Sequence, residues 1–427
     1  MLKAKILTLQ TSWKKFTGST KNTIMLRLSL FLLLAFFFVQ ASPLQDAIDR
    51  APIGATLELS AGKYLGNIYI DKPLSIIAKD DGVFIDGNFS GNTISINSSY
   101  VTLKNLNIIN SGRQMHTLDS AVLIKEAAHI TISHCKIKNS LYGINMYMVE
   151  DSNISNNTIS SIQADIQLKG DGLKVWHSHN NTFANNTLRE VRDATFNYSH
   201  NNTIKNNTFS NNRLALQFGM SHNNKIINNT FKYNSSSLVF MGGMDTNVSN
   251  NAILSSKGSA GIGLLVKDVK NFHFENNRVS FNGVGIYIDS KSLEMGMQRY
   301  FIHNTITYNK EALHFHKDIQ NNTLINNTFV GNIDDVVKNT QQNTTFSNTI
   351  HHNYWDRYEG FDKNGDNIGD RAFKMYIYAD QLWQYDHRLK FFYASPMISI
   401  LNFISELTPV IEPVLILEDS APFMIKE

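Results

Sequence analysis

The chain has 427 residues, with 39 Lys and Arg against 36 Asp and Glu, 42% apolar side chains and one cysteine. Its length supplies a sizeable core, and a single cysteine excludes an intrachain disulfide, so stability must come from packing and backbone hydrogen bonds. The first 41 residues hold six basic and no acidic side chains; the remainder carries 33 basic against 36 acidic groups with no Lys/Arg run, which argues against nucleic acid as a partner.

Residues 25–41 read MLRLSLFLLLAFFFVQA, a basic start and an apolar run closing on Val39-x-Ala41. This predicts an export signal over 1–41, cut before Ser42. The apolar run is short for a spanning helix, and an uncleaved anchor is the alternative. Residues 42–100 form an N-terminal cap and first coils: LQDAIDR predicts a short helix, ATLELSAG a strand ending at Gly62, and GNIYIDKPLSIIAKDDGVFIDGN the first irregular turns.

Over 101–356 an apolar-x-Asn-Asn-x-apolar unit returns at 154–159, 183–188, 204–209, 226–231, 248–253, 274–279 and 324–329, with degenerate copies at 103–108, 132–137, 301–306 and 350–355. A spacing of roughly 21 to 29 residues belongs to a solenoid. The units lack the leucine and helix signature of leucine-rich repeats. Short alternating apolar pairs with Asn at the corners predict a parallel β-helix, because Asn tolerates the left-handed backbone of a sharp corner and stacked Asn side chains can bond between rungs. Eleven recognisable coils at ~4.8 Å give a rod on the order of 50 Å. The ladder also accounts for the many Asn-x-Ser/Thr triplets without invoking glycans, and Cys135 takes the second-Asn slot of its copy as a buried thiol.

Enzymes of this architecture that act on acidic polysaccharides use clustered carboxylates, but Asp165, Asp171, Asp193, Asp245, Asp268 and Asp289 share no offset in the repeat and are read mostly as solvated turn residues. A different pattern is regular. Nine residues before the second Asn stand Met148, His177, Met220 and Met295; seven before it stand His179, His200, His222, Met244 and Met297. Equal offsets stack into lines along one edge of a solenoid. Thioether and imidazole suit Cu(I), and a thiol-poor exported protein would have to use them. Met295 and Met297, flanking a Gly, are expected to be the least core-like pair. Met146, Met241, His314 and His316 lie near this corner off register, and His351 and His352 read as corner residues of the last coil. The bland alternative is that Met fills core gaps and "SHNN" is a solvated turn.

In 357–393, Asp362, Asn364, Asp366 and Asp370 fall at positions one, three, five and nine of a calcium-loop spacing, although Asn367 stands where Gly is usual and Phe373 where the bidentate Glu belongs. A loop closed without metal is the alternative. In 394–427, SPMISILNFISEL predicts an amphipathic helix with Met397, Ile400, Leu401, Ile404 and Leu407 on its apolar face, suited to capping the solenoid or docking on a partner.

The closing NYW, the loop YEGFDKNGDNIGD and the late PVLILEDSAPF resemble the NosD family. The resemblance implies an all-β, right-handed, pectate-lyase-like parallel β-helix in the periplasm. It further implies work with an ABC transporter permease and ATPase, and maturation of the copper–sulfur centre of nitrous-oxide reductase, with that enzyme or a copper chaperone as partner. Membrane association would run through the transporter, and the family is not known for catalysis of its own. No copper ligands carry over, so the Met/His edge rests on spacing alone. A carbohydrate-acting β-helix lyase or hydrolase, and a scaffold that binds no metal, are the other two readings.

Overall fold

The computed structural model describes residues 43–290, 297–317, 320–338, 348–377, 395–397, 400, 403–404 and 414–425. The predicted signal over 1–41 lies outside them. No helix among the described residues is long and apolar enough to cross a membrane.

A triplet such as Thr203–Lys205 explains the architecture in miniature. Its central Ile204 points inward and is 1% exposed, while its neighbours face out. The triplet is too short to be stable alone and pairs in parallel with Thr182–Ala184 on one side and Lys225–Ile227 on the other. One coil runs through Thr187–Arg189, Asp193–Asn197 and Thr203–Lys205 before Thr208–Ser210 starts the next. Repetition gives three faces. The first is a thirteen-stranded sheet from Gly62–Leu65 to Tyr354–Trp355, and the other two form a 24-stranded sheet joined through the continuous strand Ser236–Ser249. The inward residues stack by kind: Phe196, Phe218 and Phe240 with ring centres 5.0 and 5.2 Å apart, and Phe209 on Phe231 at 4.9 Å. Each buried ring contributes about 2–3 kcal/mol. The prediction of a parallel β-helix holds, with more rungs than the eleven coils legible in the repeat.

Asn works at the corners in two ways. Asn156, Asn185, Asn206, Asn228, Asn250, Asn276 and Asn326 take φ of 56 to 58°, which turns the chain. The Asn that follows is buried and bonds along the rod: the backbone N–H and Nδ2 of Asn207 both donate to Asn229 Oδ1, at 2.8 and 3.0 Å, and this recurs from Asn157 to Asn353. Shorter ladders run through Asn181, Asn202 and Asn224 and through Asn282, Asn309 and Asn332 at the other corners. Cys135 heads the main ladder, fully buried, and burial pushes its thiol up to about 12, so it is inert.

Both ends are closed. Helix Pro43–Arg50 buries Leu44 and Ile48 over the first rung. At the other end Phe373–Ile377 and Val414–Asp419 form an antiparallel pair. There Asp419 Oδ2 accepts from Asn353 N, Asn353 Nδ2 and Trp355 Nε1 at 3.1, 2.9 and 3.0 Å. Residues 414–425 of the tail expected to dock therefore belong to the cap.

Candidate functional site

The corner between the second and third faces carries the regular Met/His pattern. Strand register pairs Tyr147 with Trp176, Trp176 with Asn197, Asn197 with Gly219 and Gly219 with Met241. The next residue of each coil, Met148, His177, Tyr198, Met220 and Gly242, has φ between 46 and 72°, which swings the side chain to the outside of the corner. His177 stacks on Tyr198 at 5.1 Å. Met148 and Met220 are 47% and 54% exposed.

Two residues on, the tetrapeptide SHNN is repeated in three successive coils, and each letter makes its own ladder. Ser178 N–H donates to Ser199 Oγ and Ser199 N–H to Ser221 Oγ. Imidazoles of His179, His200 and His222 stack at 4.8 and 4.6 Å. The backbone N–H of His200 donates to His179 Nδ1 and that of His222 to His200 Nδ1, both at 3.0 Å. These two rings therefore have Nδ1 engaged and the proton on Nε2. Burial, with His222, His179 and His177 close by, holds His200 down at about 4, so the middle ring of the ladder is neutral at pH 7.

The stack stops at Met244. His222 pairs with Met244 and Ser221 with Gly243, so Gly-Met-Asp-Thr replaces Ser-His-Asn-Asn in that coil. Gly243 at φ 104° turns the backbone, and His222 Nδ1 is left buried with no hydrogen-bond partner among the described residues. The Met220 thioether lies over Gly242: a Cβ there would stand 2.5 Å from Sδ. Met241 and Met244, on either side of the two glycines, are 42% and 41% exposed. Two successive coils thus place Met220, within Gly219–His222, and Met241 and Met244, paired with its two ends, near a buried imidazole nitrogen that has no hydrogen-bond partner, and these are soft donor types. An orphaned buried Nδ1 costs about 1–3 kcal/mol unless a ligand engages it. Among the described residues no three His, Cys, Asp or Glu converge as a metal cage. Thioethers, not carboxylates, make this rung distinctive.

The other candidates are placed differently. Met295 lies outside the described residues. Met297, expected to be exposed, is 2% exposed and is separated from Met244 by the coil of Lys270. Met146 is fully buried in the core. Met241 read as off register by spacing, yet it joins the site because GMSH at 219–222 lies beneath MGGM at 241–244, a 22-residue offset visible in the sequence.

Asp171 and Asp193 are buried, correcting their reading as solvated. Asp171 accepts from Arg192 at 2.9 Å and from Thr195 Oγ1 at 3.1 Å, while Asp193 pairs with Arg192 and Arg213. Burial raises Asp171 against the pull of Arg192. With their oxygens held by ion pairs, these carboxylates fasten a corner.

In the loop of Asp362, Asn364, Asp366 and Asp370, the acidic oxygens accept backbone N–H groups. Asp362 takes Gly365 and Asn367, Asp366 takes Ile368, and Asp370 takes Lys363, at 2.7 to 2.9 Å. Asn367 adopts φ 68° in place of Gly, and Phe373 begins the cap strand. The loop closes on its own hydrogen bonds. In the tail, Met397, Ile400, Phe403 and Ile404 are helical and 47–69% exposed; Leu401 and Leu407 lie outside the described residues.

Fold and edge together define a capped parallel β-helix that presents thioethers and imidazoles in line along one corner. Residues 160–360 match the model of the family described as periplasmic copper-binding protein (NosD). A protein of Pseudomonas aeruginosa described as a probable ABC transporter binding protein NosD is 29% identical, the match covering 92% of this chain and 94% of that one. Another of the same description from Stutzerimonas stutzeri is 28% identical over 92% of each. The chain is thus similar to the NosD family, through the family model over its central coils and through these two relatives along most of its length. Among solved structures, a family 28 exopolygalacturonase of Yersinia enterocolitica shares the fold alone, with a TM-score of 0.51 and 12% identity over 72% of this chain and 74% of that one.

Proposed function

We propose that this protein is the periplasmic member of an ABC-transporter-linked system, with a permease and an ATPase as partners, that binds and passes copper for maturation of the copper centre of nitrous-oxide reductase. The signal-like segment over 1–41 would direct export, and copper is cargo, received from a chaperone or handed to the reductase. The observation that supports this reading is the place where the His ladder ends: Met220, Met241 and Met244 stand in the two coils that meet at His222, whose buried Nδ1 has no hydrogen-bond partner among the described residues. Cu(I) favours few, soft ligands, and an imidazole nitrogen together with thioethers meets that preference. Met148, His177 and His179 extend the same edge as a line along which the ion could be exchanged.

An anaerobic Cu(I) competition titration against a chromophoric chelator tests it. The full chain should take up one tightly held Cu(I), and Met220→Leu with Met244→Leu, swaps that roughly conserve volume, should weaken it at least tenfold. Equal affinity in the variant would return these residues to packing and leave a scaffold that carries no copper on this edge.

A further inference from the structure

The last coil holds a second pair of imidazoles, remote from the ladder rung and made by adjacent residues. His351 ends strand Thr349–His351 and His352 begins the corner. Neighbours along a strand normally point to opposite sides. His352 instead adopts φ 60°, a left-handed conformation uncommon for a residue other than Gly or Asn, and this turns its ring back towards His351. The two Nδ1 atoms face each other at 3.0 Å with the rings nearly perpendicular, at 87°. The geometry is held from the cap side. His352 N–H donates to Ala421 O at 2.9 Å, and the Phe423 ring lies flat on the His352 ring, 5.3 Å between centres. Most other coils place Asn at this corner, as at Asn276 and Asn326, and His134 and His303 take it at φ 57 and 53°, but those two follow Ser133 and Ile302, so the adjacent imidazole pair is particular to the last coil.

We infer that His351 and His352 form a bidentate imidazole clamp for a divalent copper ion. Two nitrogens 3.0 Å apart, each ~2.0 Å from a metal, subtend roughly 95° at it. That is the cis angle of a square-planar Cu(II) centre, and it cannot serve the linear arrangement that two-coordinate Cu(I) favours. In the free pair a single proton lies between the nitrogens. On binding it moves to Nε2 of the donor ring, so both rings stay neutral and both lone pairs face the ion. The remaining two positions are open to water or to a donor from a partner. The rod then carries a soft site for Cu(I) on its edge and a harder one for Cu(II) beside its C-terminal cap.

Titration of the metal-free full chain with one equivalent of Cu(II), followed by electron paramagnetic resonance, reads this directly. An axial spectrum with superhyperfine coupling to two nitrogens is expected. His352→Asn, which restores the usual corner residue, should lose that coupling and weaken Cu(II) binding at least tenfold while keeping the unfolding midpoint near that of the parent. Met220→Leu with Met244→Leu should leave the spectrum unchanged, which separates this site from the proposed Cu(I) rung. An uncoupled spectrum in the parent, or the same two-nitrogen spectrum in His352→Asn, would overturn the inference and leave a pair that only shares a proton.

Discussion

His200 sits between two like rings, and its ordinary proton affinity is suppressed to about 4 because burial and the neighbouring imidazoles disfavour a charge there. An unfolded His titrates near ~6.5. Between these values the unfolded chain binds a proton that folded His200 refuses, so the folded state loses stability as pH falls from about 6.5 to about 4, and the loss levels off below. Asp335 works in the opposite sense over part of the same range: burial raises it to about 6, so it takes up a proton in the folded state first. Comparison with His200→Asn isolates the ladder. Between pH 7 and 5 the parent midpoint of thermal unfolding should drop further than that of the variant, and equal drops would show that the ring is not held neutral.

Each coil contributes one step to a directional element, the Asn ladder, in which N–H and Nδ2 donate forwards and Oδ1 accepts from behind. Such a ladder needs a last member that only accepts. Asp419 is that member, fully buried and taking three donors on Oδ2 while Oδ1 accepts from Ala421 N. Asp419→Asn would oppose an amide to one of these N–H donors and should cost roughly 1–3 kcal/mol, read as a lowered unfolding midpoint. In mid-ladder the preference inverts: Asn229→Asp removes the donor to Ile204 O and Asn251 Oδ1 and sets a carboxylate against oxygens, and it should be at least as damaging. If both substitutions are neutral, the ladder is not what holds the corners. The Asn repeat was legible in the sequence because a corner imposes the same demand every coil. The terminator was not, since Asp419 lies 66 residues beyond Asn353 and only the returning cap strand brings them together.

Across the whole molecule, the sequence showed the rod and the two Met/His columns because register converts equal offsets into neighbours. It misplaced Met297, whose burial depends on packing that spacing does not encode, and it undervalued Met241, which enters the site through the Gly242–Gly243 turn. The tail divides in the same way. Its last part is a short continuous apolar strand that caps the rod, with Ile416 and Leu417 buried, whereas Met397, Ile400, Phe403 and Ile404 are helical and exposed. A partner that covers this face removes some apolar area at each residue from water, on the order of 1–2 kcal/mol apiece. We propose the permease as that partner. Ile400→Glu with Ile404→Glu should therefore weaken binding of the chain to the solubilised permease–ATPase complex at least tenfold while leaving Cu(I) affinity unchanged, because the helix face and the ladder rung share no residue. Undiminished binding would mean that the rod, not the tail, carries the contact, and a parallel loss of Cu(I) affinity would mean that the two functions are not separable along the molecule.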